Sequence, residues 1–391
     1  MTKIFKNKTL LVLLLSLMML PTLKADNTRV SLLTCSPGEE VYELFGHTAL
    51  RYTDKEKGID AVFGYGYFSF ETPNFVWRFI LGETDYLVGA VDFTDFIEEY
   101  NYRGAGVTEQ VILLDSLQKK SLFEALVTNC RPQNRVYRYN YFYNNCTSKV
   151  RDKVLEQISD SIIYDTPLQA KTLREAIAQH TASQPWTALG INLMLGADID
   201  KPATRKELQF LPAYLMNDLS TAQTINGNKI IGEETELLQP IKQEKRLNHF
   251  TPFNSALLLL LFTMIIMLCE VRSRKIFWGY DILLFSLQSL AGIMLLFLAL
   301  FSQHPAVGNN YLLILLNPIP LVILPWLVCN AIKHKNMPFM WIQVFLVAAF
   351  IASAPFVPQS YPAPVFIFAI TIFARSLFHI YRQRICDLSL Y

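Results

Sequence analysis

The chain has 391 residues, of which 52% are hydrophobic, and its 35 Lys and Arg against 33 Asp and Glu leave a formal net charge of +2. With so even a balance, and with basic residues dispersed or confined to short islands between apolar runs, the chain offers no nucleic-acid-binding face. The average also hides two unlike halves: residues 26–249 mix apolar, charged and aromatic residues as a globular domain does, whereas apolar runs dominate from Phe253 onward.

The first residues read as an export signal. Lys3, Lys6 and Lys8 precede the apolar run Leu10–Leu20, which ends at the helix breaker Pro21. A spanning helix needs about 20 apolar residues, so residues 1–25 are expected to be a signal peptide cleaved near Ala25. A retained anchor is the alternative, because Leu23 stands where a small residue is preferred.

Residues 26–225 follow as a mixed α+β domain. Arg29–Leu33, Thr48–Tyr52 and Ile59–Phe63 have strand character, separated by the turns Ser36-Pro37-Gly38 and Asp54–Gly58. The aromatic and glycine-rich stretch Tyr65–Trp77 suits the wall of a cavity, with an acyl or peptide groove as the second use. Further strands are expected at Val111–Leu114 and Val136–Tyr141. Helices are expected at Ser116–Asn129, from Asn144-Asn145-Cys146 to Ile158, at Thr172–His180 and at Pro212–Leu219. The polar segment 226–252 reads as a linker.

Residues 253–391 carry five apolar stretches: Phe253–Cys269, Phe277–Phe301, Tyr311–Ile332, Phe339–Pro355 and Val365–Tyr381. Each can cross or nearly cross a hydrocarbon layer of about 30 Å. Basic islands follow the first (Arg272, Arg274, Lys275), the third (Lys333, His334, Lys335) and the fifth (Arg382, Arg384). The loops 302–310 and 356–364 carry no Lys or Arg. Positive-inside bias therefore puts the islands and the C-terminus in the cytoplasm, and the uncharged loops and the 26–225 domain outside. A multi-pass membrane protein with a five-helix bundle and a domain outside the cytoplasm is the expectation.

Two residues can carry chemistry. His47 follows a tight turn in Phe45-Gly46-His47-Thr48, and Cys146 opens a helix in Tyr143-Asn144-Asn145-Cys146-Thr147-Ser148. A helix N-terminus favours thiolate, and the backbone N–H groups of Cys146 and Thr147 there can hold an oxyanion. A histidine alongside serves as base and then acid, with a third polar group fixing its tautomer; Asp60 is the candidate by position. Tyr65, Tyr67, Asn145 and, from the external loop, His304 are candidate substrate-lining residues. The external domain holds three cysteines, Cys35, Cys130 and Cys146. A Cys35–Cys130 disulfide would leave Cys146 free, though other pairings remain open. His47 and Cys146 lack companion ligands at metal-binding spacing, and no glycine-rich phosphate loop is present, so neither metal nor cofactor is expected.

Three strings give a resemblance: Leu32-Leu33-Thr34-Cys35-Ser36-Pro37-Gly38 running on to Phe45-Gly46-His47-Thr48-Ala49-Leu50-Arg51, then Phe63–Phe70, then Tyr139–Asp152 around Asn144-Asn145-Cys146-Thr147-Ser148. With Thr172-Leu173-Arg174-Glu175 and Phe210–Leu215, they make residues 30–220 resemble the Lnb N-terminal periplasmic domain family. The order of His first and Cys later is similar to circularly permuted papain-like (NlpC/P60-type) thiol enzymes. The resemblance implies a lipoprotein N-acyltransferase that uses Cys146 and His47, a phospholipid as acyl donor and bacterial lipoproteins as acceptors. Two other readings stand beside it: a membrane-anchored cysteine peptidase or amidase of the envelope, and a non-catalytic envelope assembly factor.

Overall fold

The computed structural model describes residues 27–241, 250–332 and 339–388. The expected signal peptide and the basic island at 333–335 lie outside them.

Strand β1 (Thr28–Cys35) and strand β2 (His47–Asp54) pair antiparallel, from Thr28 opposite Asp54 to Cys35 opposite His47. Strand β3 (Ile59–Tyr67) continues the meander, and β4 (Asp85–Asp92), β5 (Val107–Ile112), β6 (Val136–Arg138) and β9 (Ile231–Leu238) complete a seven-stranded sheet in the order β6-β4-β3-β2-β1-β5-β9. Two short strands, β7 (Ile162–Ile163) and β8 (Gln223–Thr224), pair separately.

Period-two alternation assigns each strand residue to one of two faces. Leu32, Leu50, Phe63, Tyr65 and Val88 face a core shared with Leu122 and Leu126 of the helix Ser116–Asn129, Val150 and Val154 of the helix Cys146–Leu155, and Leu215 and Leu219 of the helix Pro212–Thr221. On the opposite face Leu33, Cys35, Ala49, Val62 and Val107 pack against Phe96 and Tyr100 of the helix Phe93–Tyr102. The domain is α+β, as its sequence suggests.

The stretch read as a linker from residue 226 contributes β9, paired with β5 along the sheet edge. Five consecutive residues of β9 are exposed, Gly232 and four polar ones, so it shows none of the apolar alternation that marks a half-buried strand. The Cys35–Cys130 disulfide is absent: both thiols are free, with Cys35 in the core under the helix Phe93–Tyr102 and Cys130 against the core on the other side of the sheet.

In the C-terminal half, three helices are long and apolar enough to cross a membrane among the described residues: Pro252–Ser273, Trp278–Phe301 and, within the helix Ala363–Leu388, Ala363–Arg382. The third apolar stretch is broken: a 3-10 turn, Tyr311–Ile314, precedes Asn317 and Pro318, and the α-helix starts at Ile319. The fourth, Phe339–Ser353, has 15 residues, or about 22 Å of helix, and falls short of a full hydrocarbon layer.

The two halves meet at the loops that carry no basic residue. Gly196 and Ala197 donate backbone hydrogen bonds to Ala306 and Asn309 of the 302–310 loop at 2.8 and 2.7 Å. The side chain of Gln359, from the other uncharged loop, donates to Leu195 O at 3.3 Å and to Asn310 Oδ1 at 3.0 Å. Behind this joint lies Arg174, only 6% exposed. It donates to Asp200, Asn192 and the carbonyls of Leu195 and Gly196, fixing the loop that touches the membrane half.

Candidate active site

Asn145 caps the helix Cys146–Leu155: its side chain accepts from the Ser148 N–H at 2.8 Å, and the Ser148 hydroxyl accepts from the Asn145 N–H at 2.9 Å. The first intrahelical bond runs from Lys149 N to Asn145 O. The N–H groups of Cys146 and Thr147 thus belong to the first turn, where no carbonyl of the helix reaches them. Both the partial positive charge of the helix end and these donors sit at the sulfur.

His47 is the first residue of β2, and its position depends on Gly46. Gly46 adopts φ +76, and a Cβ there would lie 2.4 Å from the Cys35 carbonyl oxygen. Only glycine makes this turn, which delivers the imidazole to the strand end beside the helix start. There His47 is within hydrogen-bonding reach of the Cys146 thiol, and the Thr48 N–H also donates to the sulfur. The Thr147 hydroxyl lies 3.7 Å from the sulfur and 3.2 Å from the Thr48 hydroxyl, tying strand to helix. Across the site, β3 passes the nucleophile at Gly66, whose φ of +99 disfavours a side chain; a Cβ there would stand in van der Waals contact with that of Cys146, at 3.6 Å.

The electrostatics single out one thiol of three. Burial pushes the Cys146 thiol up, but the facing imidazole and the Thr147 and Thr48 donors more than offset it and bring it down to about 7. His47 moves the other way: burial disfavours its charge, yet the neighbouring sulfur raises its pKa above the ordinary value. Opposite shifts in a touching pair favour thiolate and imidazolium together. Cys35, directly opposite His47 on β1, is pushed up by burial, as is Cys130, so both stay protonated and inert.

The other candidate residues fall elsewhere. Asp60 is not the third member of a triad. It lies opposite Thr53, six residues along β2 from His47 or about 20 Å of strand, and Arg51 holds it with two bonds of 2.8 and 2.7 Å. No carboxylate hydrogen-bonds His47 among the described residues. Tyr65 is a core residue, 3% exposed, whose hydroxyl accepts from Asn129 at 2.8 Å. Asn145 is occupied by the cap and by Phe210 O, to which its amide donates at 2.8 Å, so it lines nothing. His304 donates from Nε2 to Phe79 O at 2.7 Å in the joint between the halves. Tyr67 remains at the surface, its ring over Gly64 and Gly89 of the neighbouring strands. Sequence reasoning missed Thr48 and Gly66. The Gly64-Tyr65-Gly66 pattern was the available signal for the second; a backbone N–H leaves no signal for the first. No group of three or more His, Cys, Asp or Glu suited to a metal ion occurs among the described residues.

Two family models match the chain. One is the Lnb N-terminal periplasmic domain, over residues 18–179, and the other is the Lnb transmembrane domain, over residues 242–384. No curated protein and no solved structure matches. His47 and Cys146 both fall within the first match, and the three long apolar helices begin and run within the second. With both domains present in this order, the chain belongs to the Lnb family.

Proposed function

We propose that the protein is a thiol-dependent lipoprotein N-acyltransferase of the bacterial inner membrane, with Cys146 as nucleophile and His47 as its base and acid. The observation that carries this reading is the His47–Cys146 pair at a capped helix start, with the thiol brought down to about 7. In this reading the periplasmic half is a circularly permuted papain-like domain, the five apolar stretches form the membrane bundle, and the C-terminus is cytoplasmic.

The Cys146 thiolate attacks the ester carbonyl carbon of a phospholipid, and the carbonyl electron pair moves onto oxygen, within reach of the Cys146 and Thr147 N–H groups. Collapse expels the lysophospholipid oxygen, which takes the proton from the His47 imidazolium and leaves a thioester on Cys146. The neutral α-amine of a diacylglyceryl-cysteine lipoprotein then attacks the thioester. His47 accepts the amine proton as the sulfur leaves, and the thiolate–imidazolium pair is restored. The net change is ester plus amine to alcohol plus amide. A thioester suits an amine acceptor, and both substrates reside in the bilayer on which the domain is docked.

The test is to replace Cys146 with Ser in a strain with no second such enzyme and weigh the N-terminal peptides of its lipoproteins by mass spectrometry. Loss of the amide-linked acyl chain is expected. Unchanged N-acylation removes the proposal, and release of peptide fragments from cell wall by the wild-type protein points to an amidase instead.

A further inference from the structure

The helix Phe75–Leu81, Phe-Val-Trp-Arg-Phe-Ile-Leu, has six apolar residues of seven and buries none of them. Val76 is 66% exposed, Trp77 53% and, just before the helix, Phe70 64%. A contiguous apolar face of this kind is costly in water and marks a surface that meets something apolar.

Its position says what that is. Ile80 and Leu81 accept hydrogen bonds from the Ser302 hydroxyl and the Gln303 N–H at 2.7 and 2.8 Å, and Phe79 accepts from His304. These donors lie just past the end of the spanning helix Trp278–Phe301. Trp77 packs on Phe297, with ring centroids 5.2 Å apart. Phe297 lies four residues inside that helix end, or about 6 Å along its axis, so Trp77 packs on the flank of the apolar helix, short of its outer end. Around it Leu300 and Phe301, in the last turn, are 66% and 61% exposed.

The same segment reaches the nucleophile. Phe75 stacks on Phe68 at 5.3 Å, and Phe68 stacks on Tyr86 at 5.0 Å. Phe68 is two residues from Gly66, whose backbone borders Cys146. The rings of Phe79, Phe75 and Phe68, each against the next, thus run from His304, beside the outer end of a membrane helix, to a residue two positions from Gly66.

We infer that residues 68–81 dip into the outer leaflet and form the surface along which a phospholipid acyl chain passes from the bilayer to Cys146. The inference rests on the reading of Cys146 as the acyl acceptor and adds to it the route of the donor. An interfacial helix held by an aromatic and by hydrogen bonds to a spanning helix lies in the plane of the membrane and opens a path for lipid without crossing it.

The full-length Cys146→Ser variant, in nanodiscs containing phosphatidylethanolamine with a diazirine in its acyl chain, is irradiated, digested and mapped by mass spectrometry. Adducts on the 68–81 peptide are expected alongside those on 278–301. Adducts confined to the spanning helices overturn the inference, and so does attachment of a protein partner to 68–81 in place of lipid. In the otherwise wild-type chain, Val76→Asp is expected to slow acyl-enzyme formation from bilayer lipid by about tenfold. Iodoacetamide labelling of Cys146 at its usual rate verifies that the fold is intact. An unaltered acylation rate contradicts the route. Lipid adducts on 68–81 without any acyl-enzyme in the wild-type chain would instead sustain the membrane contact and remove the proposed chemistry.

Discussion

At the start of the helix Cys146–Leu155, one sulfur and one imidazole face each other, and His47 has no carboxylate partner among the described residues. In the membrane half, Arg375 is fully buried and wrapped by two carboxylates: Glu270 accepts at 2.6 and 2.8 Å and Asp281 at 2.5 and 2.9 Å. His379 adds a further contact to Asp281 at 3.0 Å. Both clusters set opposite charges close together in a poorly solvated place, but they differ in how many bonds each charge receives. Every nitrogen of the Arg375 guanidinium is used, so the cluster acts as a clasp joining the helices Pro252–Ser273, Trp278–Phe301 and Ala363–Leu388. The sulfur at position 146 has one charged partner, His47, beside the Thr48 N–H and the Thr147 hydroxyl at 3.7 Å, and keeps a lone pair for attack. Completeness of bonding separates a structural ion cluster from a reactive one.

The largest effect is expected at His47. His47→Ala is expected to slow acyl transfer by about 10²–10⁴-fold, because base and acid are lost together. It also returns the thiol toward its ordinary range. Iodoacetamide labelling of Cys146 in the wild-type chain rises with pH through a midpoint near 7, since the thiolate is the reactive form and its proton is lost there. At pH 7 about half the sulfur is thiolate, against about one per cent for a thiol of pKa 9.0. The variant's midpoint should move up toward 9.0, and a midpoint unmoved by the substitution would show that His47 does not face the sulfur.

Arg375→Met comes next. It strands Glu270 and Asp281 without their partner and should destabilise the membrane half by about 3–5 kcal/mol, seen as a lower thermal midpoint in detergent. The rate of Cys146 labelling in protein that is still folded should not change. Gly66→Ala is smaller: φ +99 disfavours any side chain, and a loss of about 1–2 kcal/mol should accompany slower acylation, since the new methyl borders Cys146. Asp60→Asn should have the least effect. The Arg51 pair is 41% exposed on the carboxylate side, so less than about 1 kcal/mol of stability is at stake, and acyl transfer should stay within twofold. A large loss of activity would return Asp60 to the catalytic machinery.

What the sequence revealed follows the same physical division. Cys146 and His47 were legible because a thiol at a capped helix start and a histidine after a glycine turn are local features, set by adjacent residues. Asp60 was misplaced because a third partner depends on strand register and on which way each strand runs from the site, and neither can be read along the chain. The proposed Cys35–Cys130 bond failed for a similar reason: counting cysteines says nothing of which face of a sheet each one takes. Strand β9 hid in a polar segment because only one of its residues is buried. The helix Phe75–Leu81 showed no periodicity, being apolar nearly all round, and its partner in the proposed reading is lipid rather than a protein core.

The most direct test of the central claim is intact-mass analysis of the purified full-length protein after incubation with phospholipid and no lipoprotein acceptor. A gain of one acyl chain is expected on the peptide containing Cys146, removed by neutral hydroxylamine as a thioester and absent from Cys146→Ala. A protein whose mass never changes, or one acylated equally well without that sulfur, contradicts the account.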